Sequence, residues 1–336
     1  MKNNSWIYML IFMCILTSCL FVINILKEKN EIKEQEYIQK EEKNIIEYKA
    51  DETIRVKFHQ TGEVVAMDIN DYLRGVLPAE MSPTYNIEAL KAQAVVARTY
   101  TYKKMMDKAE GDDADICDNF AHCQAFYTKE KIYEIWQNKG YTKDEILEFW
   151  DKINEAVVST QNQVITYKGE LINAYFHASS PEKTEDVSQI WGNVSYPYLK
   201  SVENVEDELY ENRTSRVVIK VNELADKINN DNSIIGYIGI EGIKNICINE
   251  YTTTGRVKNI LVNDIVITAE KLRILIGLKS TNFKITIDNE NVIFDVVGYG
   301  HGVGMSQVGA NTYAASGMNY IDIIKHYYLN VEVCTL

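Results

Sequence analysis

The sequence predicts an α+β protein: mixed strands and helices in an ectodomain, preceded by one N-terminal transmembrane helix. Three observations lead there. Residues 5–26 form an apolar run without a charge. Beyond residue 53, β-branched runs are interspersed with runs of helical period, without a βαβ rhythm. Finally, no internal repeat or Pro/Ser-rich linker divides the chain. Over 336 residues, 46% hydrophobic and 25% charged content are those of a globular protein with a sizeable core. A net charge of −13 with no basic cluster excludes nucleic acid as an expected partner. The same charge disfavours anionic surfaces, so a substrate there is expected to be recognised through neutral groups such as sugar rings. The 22 tyrosines suit stacking on carbohydrate, although tyrosine is also a common strand and core residue.

Residues 1–4 read as a short cytoplasmic tail, 5–26 as the anchor, 27–52 as a charged stalk and 53–336 as the ectodomain. Ser5 to Leu26 is long enough to cross a bilayer as a helix. Lys2 before it, and Lys27 and Lys29 among acids after it, orient it only weakly. Leu16-Thr-Ser-Cys19 resembles a lipoprotein processing box, but the apolar run continues for seven residues past Cys19. That favours an uncleaved anchor over a lipoprotein or a cleaved signal, and all three place the folded part outside the cytoplasmic membrane. The Lys/Glu-rich stalk would lift it off the membrane.

Ile54–Phe58 and Val64–Met67 flank Gly62 as a hairpin, and Ile69–Val76 predicts a short helix. Asn86 caps a second helix in which Ile87, Leu90, Ala94, Ala97 and Thr101 share a face. A helix is expected over Tyr133–Val158, then two strands around Lys168-Gly169 within Gln163–Phe176. Val217–Val221, Phe283–Ile287 and Val292–Val297 read as strands, and Thr268–Ile276 as a helix.

Three constellations carry chemistry. Glu80, on the expected connection between the first two helices, is flanked by Val76, Leu77, Pro78 and Met81. Apolar surroundings favour the protonated carboxyl, the form that can donate to a glycosidic oxygen. The competing reading is a cap or a salt bridge. In Gly298-Tyr-Gly-His301-Gly-Val-Gly-Met-Ser306-Gln307-Val-Gly309, alternating glycines admit close approach of a ligand, with His, Ser and Gln to bond a neutral polar one. No Gly-Lys-Ser/Thr ending makes it a phosphate loop; a structural turn is the alternative. Cys117, His122 and Cys123 offer three zinc ligands within seven residues, with His177 a candidate fourth. A Cys117–Cys123 disulfide or free thiols compete with that reading. Cys247 and Cys334 lie in apolar contexts that suggest buried thiols. Neither a Gly-x-Ser-x-Gly elbow nor a His-Glu-x-x-His helix occurs. Ordinary glycoside hydrolysis needs a second carboxylate, for which Asp71, Glu88 and Asp186 are available, but none has the apolar flanks of Glu80. A reaction using one carboxylate fits better.

The stretches Tyr72-Leu-x-Gly75-Val-x-Pro78-x-Glu80-Met81 and Glu88-Ala-Leu-Lys-Ala-Gln93-Ala-Val-Val-Ala-Arg98-Thr-Tyr100 resemble the stage II sporulation protein D family. So do Leu278-Lys-Ser280-Thr281-Asn-Phe283, Gly300-His301-Gly302-Val-Gly304-Met-Ser306-Gln307 and His326-Tyr-Tyr328. The resemblance runs from about Ile54 to the C-terminus. It implies a single-pass, membrane-anchored lytic transglycosylase of peptidoglycan, acting in engulfment during sporulation on glycan strands stripped of peptide. It implies a partner wall amidase and a polytopic membrane protein in one complex. Residue by residue, it implies Glu80 as the catalytic acid, with His177, Ser179, His301, Ser306 and Gln307 binding substrate. It further implies zinc near Cys117, His122 and Cys123, as in some clostridial members. The stretch Phe176-His177-Ala178-Ser179-Ser180-Pro181-Glu182 departs from the family's glycine-rich form, and Tyr327-Tyr328-Leu329-Asn330 from its Tyr-Tyr-Pro-Gly ending. A non-catalytic glycan-binding or amidase-stimulating wall protein is the main alternative; a zinc-dependent wall hydrolase is another.

Overall fold

A computed structural model describes residues 53–336, apart from 112, 193, 207–209, 240 and 289, together with Lys27 and Lys29. The expected tail and anchor over 1–26, and nearly all of the stalk, lie outside the described residues. Among the described residues, no helix is long and apolar enough to cross a membrane. Residues 53–336 are a mixture of helices and strands, as the sequence predicts.

The hairpin forms from β1 (Thr53–Lys57) and β2 (Val64–Asp68), antiparallel with Thr53 opposite Asp68. A short β3 (Ile116–Cys117) joins β1 in parallel, which sets Cys117 beside Lys57. The Asp68 carboxylate then caps α1 (Ile69–Glu80) by accepting the Asn70 and Asp71 N–H groups. This helix runs past the expected end at Val76, so Glu80 is its last residue rather than part of a connection. Pro78 signals a stop in the sequence, yet in a last turn it costs one backbone bond, and the Met81 N–H still closes on the Leu77 carbonyl at 2.8 Å.

The second helix, α2 (Ile87–Met106), has the expected Asn86 cap, whose side chain accepts the Glu88 N–H at 2.9 Å. Its burial is wider than one face: every residue from Ala92 to Tyr102 is buried. Alanines keep it slim enough to serve as a central pillar. Inside it, the wholly buried Arg98 donates to the carbonyls of Val157 and Thr160 and to Asn70 Oδ1. Its guanidinium thus satisfies the carbonyl end of a neighbouring helix, where a cation is favoured. The helix expected over 133–158 is two, α3 (Lys129–Asn138) and α4 (Lys143–Ser159). Gly140 turns the chain with φ of 90°, and a Thr142/Glu145 capping box restarts it.

Beyond β4 (Gln163–Tyr167) and β5 (Glu170–Leu171) come β6 (Phe176–His177), β7 (Glu182–Lys183), the single turn α5 (Val187–Ile190) and β8 (Glu203–Asn204). Residues 214–297 then build a layer of their own. It comprises β9 (Thr214–Lys220), α6 (Val221–Asn229), β10 (Ile246–Tyr251), β11 (Val257–Val262), β12 (Ile265–Thr268), α7 (Ala269–Ile276), β13 (Phe283–Asp288) and β14 (Asn291–Val297). Two antiparallel sheets, ordered β10-β11-β12 and β13-β14-β9, share an apolar cluster that includes Leu224, Ile260, Leu272 and Phe294. Cys247 is exposed and Cys334 half-buried, against expectation, because β10 turns Cys247 to its outer face. The chain closes with β15 (Met305–Ser306), α8 (Gln307–Ala315), α9 (Tyr320–Tyr327) and β16 (Glu332–Thr335), which pairs with β4.

Candidate active site

Glu80 is partly exposed at the end of α1. The Ala125 N–H donates to its Oε1 at 2.7 Å, and the Gln307 side chain is a second hydrogen-bond partner. Burial of the carboxyl outweighs both bonds and pushes its pKa up to about 7. The acid and its conjugate base are therefore both populated near neutrality, as a group that gives and then takes a proton requires.

The segment that brings Ala125 there is docked on α1 through a glycine. Gln124 Nε2 donates to the Tyr72 hydroxyl at 3.2 Å and to Thr101 Oγ1 at 2.9 Å. The Phe126 ring stacks on Tyr72 at 5.4 Å, and the Tyr127 N–H reaches the Gly75 carbonyl at 3.3 Å. A Cβ on Gly75 would run into the Phe126 ring and the Tyr127 carbonyl. Its missing side chain is what admits the segment.

The other carboxylates considered as partners are engaged elsewhere. Asp71 pairs with Arg74 at 2.6 Å; Glu88 pairs with Lys91 at 3.0 Å and accepts the Tyr320 N–H. Asp186 caps α5 and pairs with Lys200 at 2.9 Å. Burial also pushes Glu185 up to about 7, but with no exposed surface it is out of a substrate's reach.

Cys117, His122 and Cys123 do converge, and the fourth group is Glu110 rather than His177. One donor atom from each of the four lies within 4.8 Å of all the others. His122 Nδ1 is 2.6 Å from Glu110 Oε1, 3.4 Å from Cys117 Sγ and 3.6 Å from Cys123 Sγ. The neighbours His122 and Cys123 face one point because both their N–H groups turn onto the Asn119 carbonyl. Both cysteines are free thiols here, not a disulfide. Two sulfurs, an imidazole nitrogen and a carboxylate oxygen at this spacing form a donor set suited to zinc. His177 sits in a different place: it is buried, and its Nδ1 bonds the Val303 carbonyl at 3.1 Å.

The glycine loop folds as a tight backbone crossing. Gly302 and Gly304 have φ of 84° and 72°, and a Cβ on them would meet the Arg256 guanidinium and the Tyr175 carbonyl respectively. Met305 and Ser306 pair in parallel with Phe176 and His177, which sets His177 and His301 with ring centroids 5.7 Å apart. His301 Nδ1 accepts the Val303 N–H at 3.0 Å, and the ring also bonds the Phe176 backbone. Burial lowers its pKa to about 4, so the ring is neutral at ordinary pH. Ser179 and Ser306 are wholly buried, and both hydroxyls donate to Glu206, the latter at 2.6 Å. Ser306 also caps α8, accepting the Gly309 N–H. Gln307 reaches both Glu80 and Gln93. Of the five residues expected to bind substrate, Gln307 therefore touches the acid, His301 is partly exposed, and His177, Ser179 and Ser306 lie beneath the surface.

Residues 57–167, which carry Glu80 and the Cys/His cluster, match the family model described as Stage II sporulation protein. The chain is 30% identical to stage II sporulation protein D of Bacillus subtilis (strain 168) over 79% of its own length and 74% of that relative's. The chain belongs to the stage II sporulation protein D family. The protein of the same name from Bacillus amyloliquefaciens is 28% identical, again over 79% of this chain and 74% of the relative. The amidase enhancer of Bacillus subtilis (strain 168) is 28% identical over 76% of this chain, which spans only 39% of that protein.

In this stage II sporulation protein D family member, sequence reasoning passed over Glu110, Ala125 and Glu206. Glu110 opens the acidic run Glu110-Gly-Asp-Asp113, which resembles a solvated turn. Ala125 acts through its backbone and carries no side-chain signal. Glu206 stands in a stretch of several acids, and nothing local marks it as the buried one.

Proposed function

We propose that this protein is a membrane-anchored lytic transglycosylase. It cleaves the bond between N-acetylmuramic acid and N-acetylglucosamine in peptide-free peptidoglycan strands, in engulfment during sporulation. The observation that carries the reading is Glu80: a reachable carboxyl with a pKa of about 7, steadied by one backbone N–H and one carboxamide, while Asp71, Glu88 and Asp186 are each engaged by a cation of their own.

Protonated Glu80 gives its proton to the glycosidic oxygen as the bond from the muramic anomeric carbon breaks. The muramic 6-hydroxyl oxygen then bonds that carbon, and its proton passes to the Glu80 carboxylate. No water is consumed, and the product ends in a 1,6-anhydro ring. The nucleophile belongs to the substrate, so its effective concentration is high and a second carboxylate is not needed. The Ala125 N–H and Gln307 hold the carboxyl in place and favour its ionised form after the proton has left.

Glu110, Cys117, His122 and Cys123 would hold zinc, which when bound orders the loop on which they stand. Ala125 follows that loop by two residues, so its order is passed to the hydrogen bond on Glu80. The amidase enhancer relationship supports a wall amidase as partner, beside a polytopic membrane protein in the engulfment complex. That relationship also favours a second reading, a glycan-binding protein that stimulates an amidase without cleaving. Mass spectrometry of peptide-free glycan after digestion separates the two. Anhydro-muramic ends are expected from the wild type and absent with Glu80→Gln; a wild-type digest without them leaves the second reading.

A further inference from the structure

Tryptophan is among the most buried of side chains on average, yet Trp191 is only half-buried. It follows the single turn α5, and its N–H is fixed on the Val187 carbonyl at 3.0 Å. That turn is itself held from outside. Asp186 caps it by accepting the Ser188 N–H at 2.9 Å and is pinned in turn by Lys200 at 2.9 Å. The indole therefore has a firm backbone, unlike a side chain on a free loop.

Trp191 does not stand alone. Its ring lies 4.9 Å from Tyr175 and 5.2 Å from His301, and those two lie 6.4 Å from one another. All three residues are only partly buried. Tyr175 in turn meets Tyr100 edge-on at 6.4 Å. Tyr100 reaches the carbonyls of His122 and Cys123, and the Glu80 charge acts on its phenol. A line of rings thus leads from the surroundings of Glu80 to the indole. His301 spends both ring nitrogens on the protein's own backbone, so it offers a substrate a neutral ring rather than a hydrogen bond. The three rings carry no charge, and the Glu270 and Arg273 charges that act on His301 offset one another in an ion pair at 2.7 Å. Such a surface suits the C–H faces of a pyranose and neither phosphate nor a basic peptide.

We propose that Trp191, backed by Tyr175 and His301, is a sugar-stacking subsite that takes a pyranose of the glycan strand flanking the bond cleaved at Glu80. The proposal rests on the glycan reading above, and its test can fail separately. The full-length Glu80→Gln protein is labelled with 5-fluorotryptophan, and the Trp191 fluorine signal is assigned by its loss in Trp191→Phe. Peptide-free glycan oligomers are then titrated in. A saturable shift of that signal is expected, with Trp136, which is buried, unmoved. In the otherwise wild-type protein, Trp191→Ala is expected to raise KM about tenfold with kcat within about twofold, and Trp191→Phe to recover most of the difference. No shift at Trp191 under saturating glycan overturns the subsite, as does a fall in kcat with KM unchanged. The fluorine experiment needs no folded Trp191→Ala, so an unstable variant does not shield the proposal. A Trp191 shift without anhydro ends from the wild type keeps the subsite and removes the cleavage chemistry; anhydro ends without the shift do the reverse.

Discussion

Two carboxylates, one buried and one partly exposed, divide the labour of this molecule. Glu206 collects four donors: the Ser179 and Ser306 hydroxyls, the Ser180 N–H and the Asn204 carboxamide. Glu80 collects two and keeps part of its surface open. Dense donation fixes Glu206 as a knot that ties the 179–180 strand end, β8 and the start of α8 together. Sparse donation leaves the Glu80 carboxyl poorly compensated for its burial, and so leaves its proton exchangeable. The same side chain becomes mortar or reagent according to how many N–H and O–H groups face it.

The sharpest way to break that contrast is to make each carboxylate inert. Glu80→Gln is expected to lower turnover by about 10²–10⁴-fold with the fold intact, by anhydro-muramic release and circular dichroism. Glu206→Ala is expected to do the opposite in kind, costing about 3 kcal/mol of stability by denaturant unfolding, because buried hydroxyl, amide and backbone donors lose their acceptor. If Glu206→Ala melts like the wild type, or Glu80→Gln unfolds, the division is wrong.

A pH series sharpens it further. The Glu80 pKa rises from an ordinary 4.5 to about 7 in the folded chain, so the folded state binds the proton more tightly than the unfolded one. That contribution to stability is full below pH 4.5 and is lost as pH rises through 7. Glu80→Gln removes the loss, so relative to wild type it is expected to gain about 1–3 kcal/mol between pH 4.5 and 8, allowing for the partial exposure of the group. A pH-independent difference between the two proteins would contradict the shift. The smallest expected effect is at Gly75. There, Gly75→Ala should cost about 1–2 kcal/mol through contact with Phe126 and Tyr127 and shift the Ala125 donor. Its signature is a fall in kcat with an alkaline-limb pKa raised further above that of an ordinary carboxylate, because the Ala125 bond that lowers it is weakened, read from pH–rate profiles beside urea melts.

Much of this was legible in the sequence. Glu80 is marked by its apolar flanks, and the hairpin, the α2 cap and strands β9, β13 and β14 by local pattern, whereas β10, β11 and β12 are not singled out by it. Metal-type spacing also reveals Cys117, His122 and Cys123, but spacing carries no direction, so it pointed to His177 where the chain supplies Glu110. Ser306 reads as ligand-facing because a hydroxyl beside glycines suits a bound sugar or a buried acid equally well, and Ser179 does so only through the family resemblance. Only the pairing of β6 with β15, which closes a long stretch of chain, decides between them. Helix ends were missed where a proline was tolerated in a last turn, or where a glycine broke one helix into two.

The meeting of Gln307 with Gln93, 214 positions apart in the chain, also has a bearing on assembly. A chain made from its N-terminus contains Glu80 long before Gln307 exists to steady it. The acid is therefore present early and completed late. Any truncation ahead of α8 would release a protein with the reactive carboxyl but without its second hydrogen bond or the Ser306 tie to Glu206. The closing segment thus completes the surroundings of Glu80 last, in the order in which the polypeptide is made.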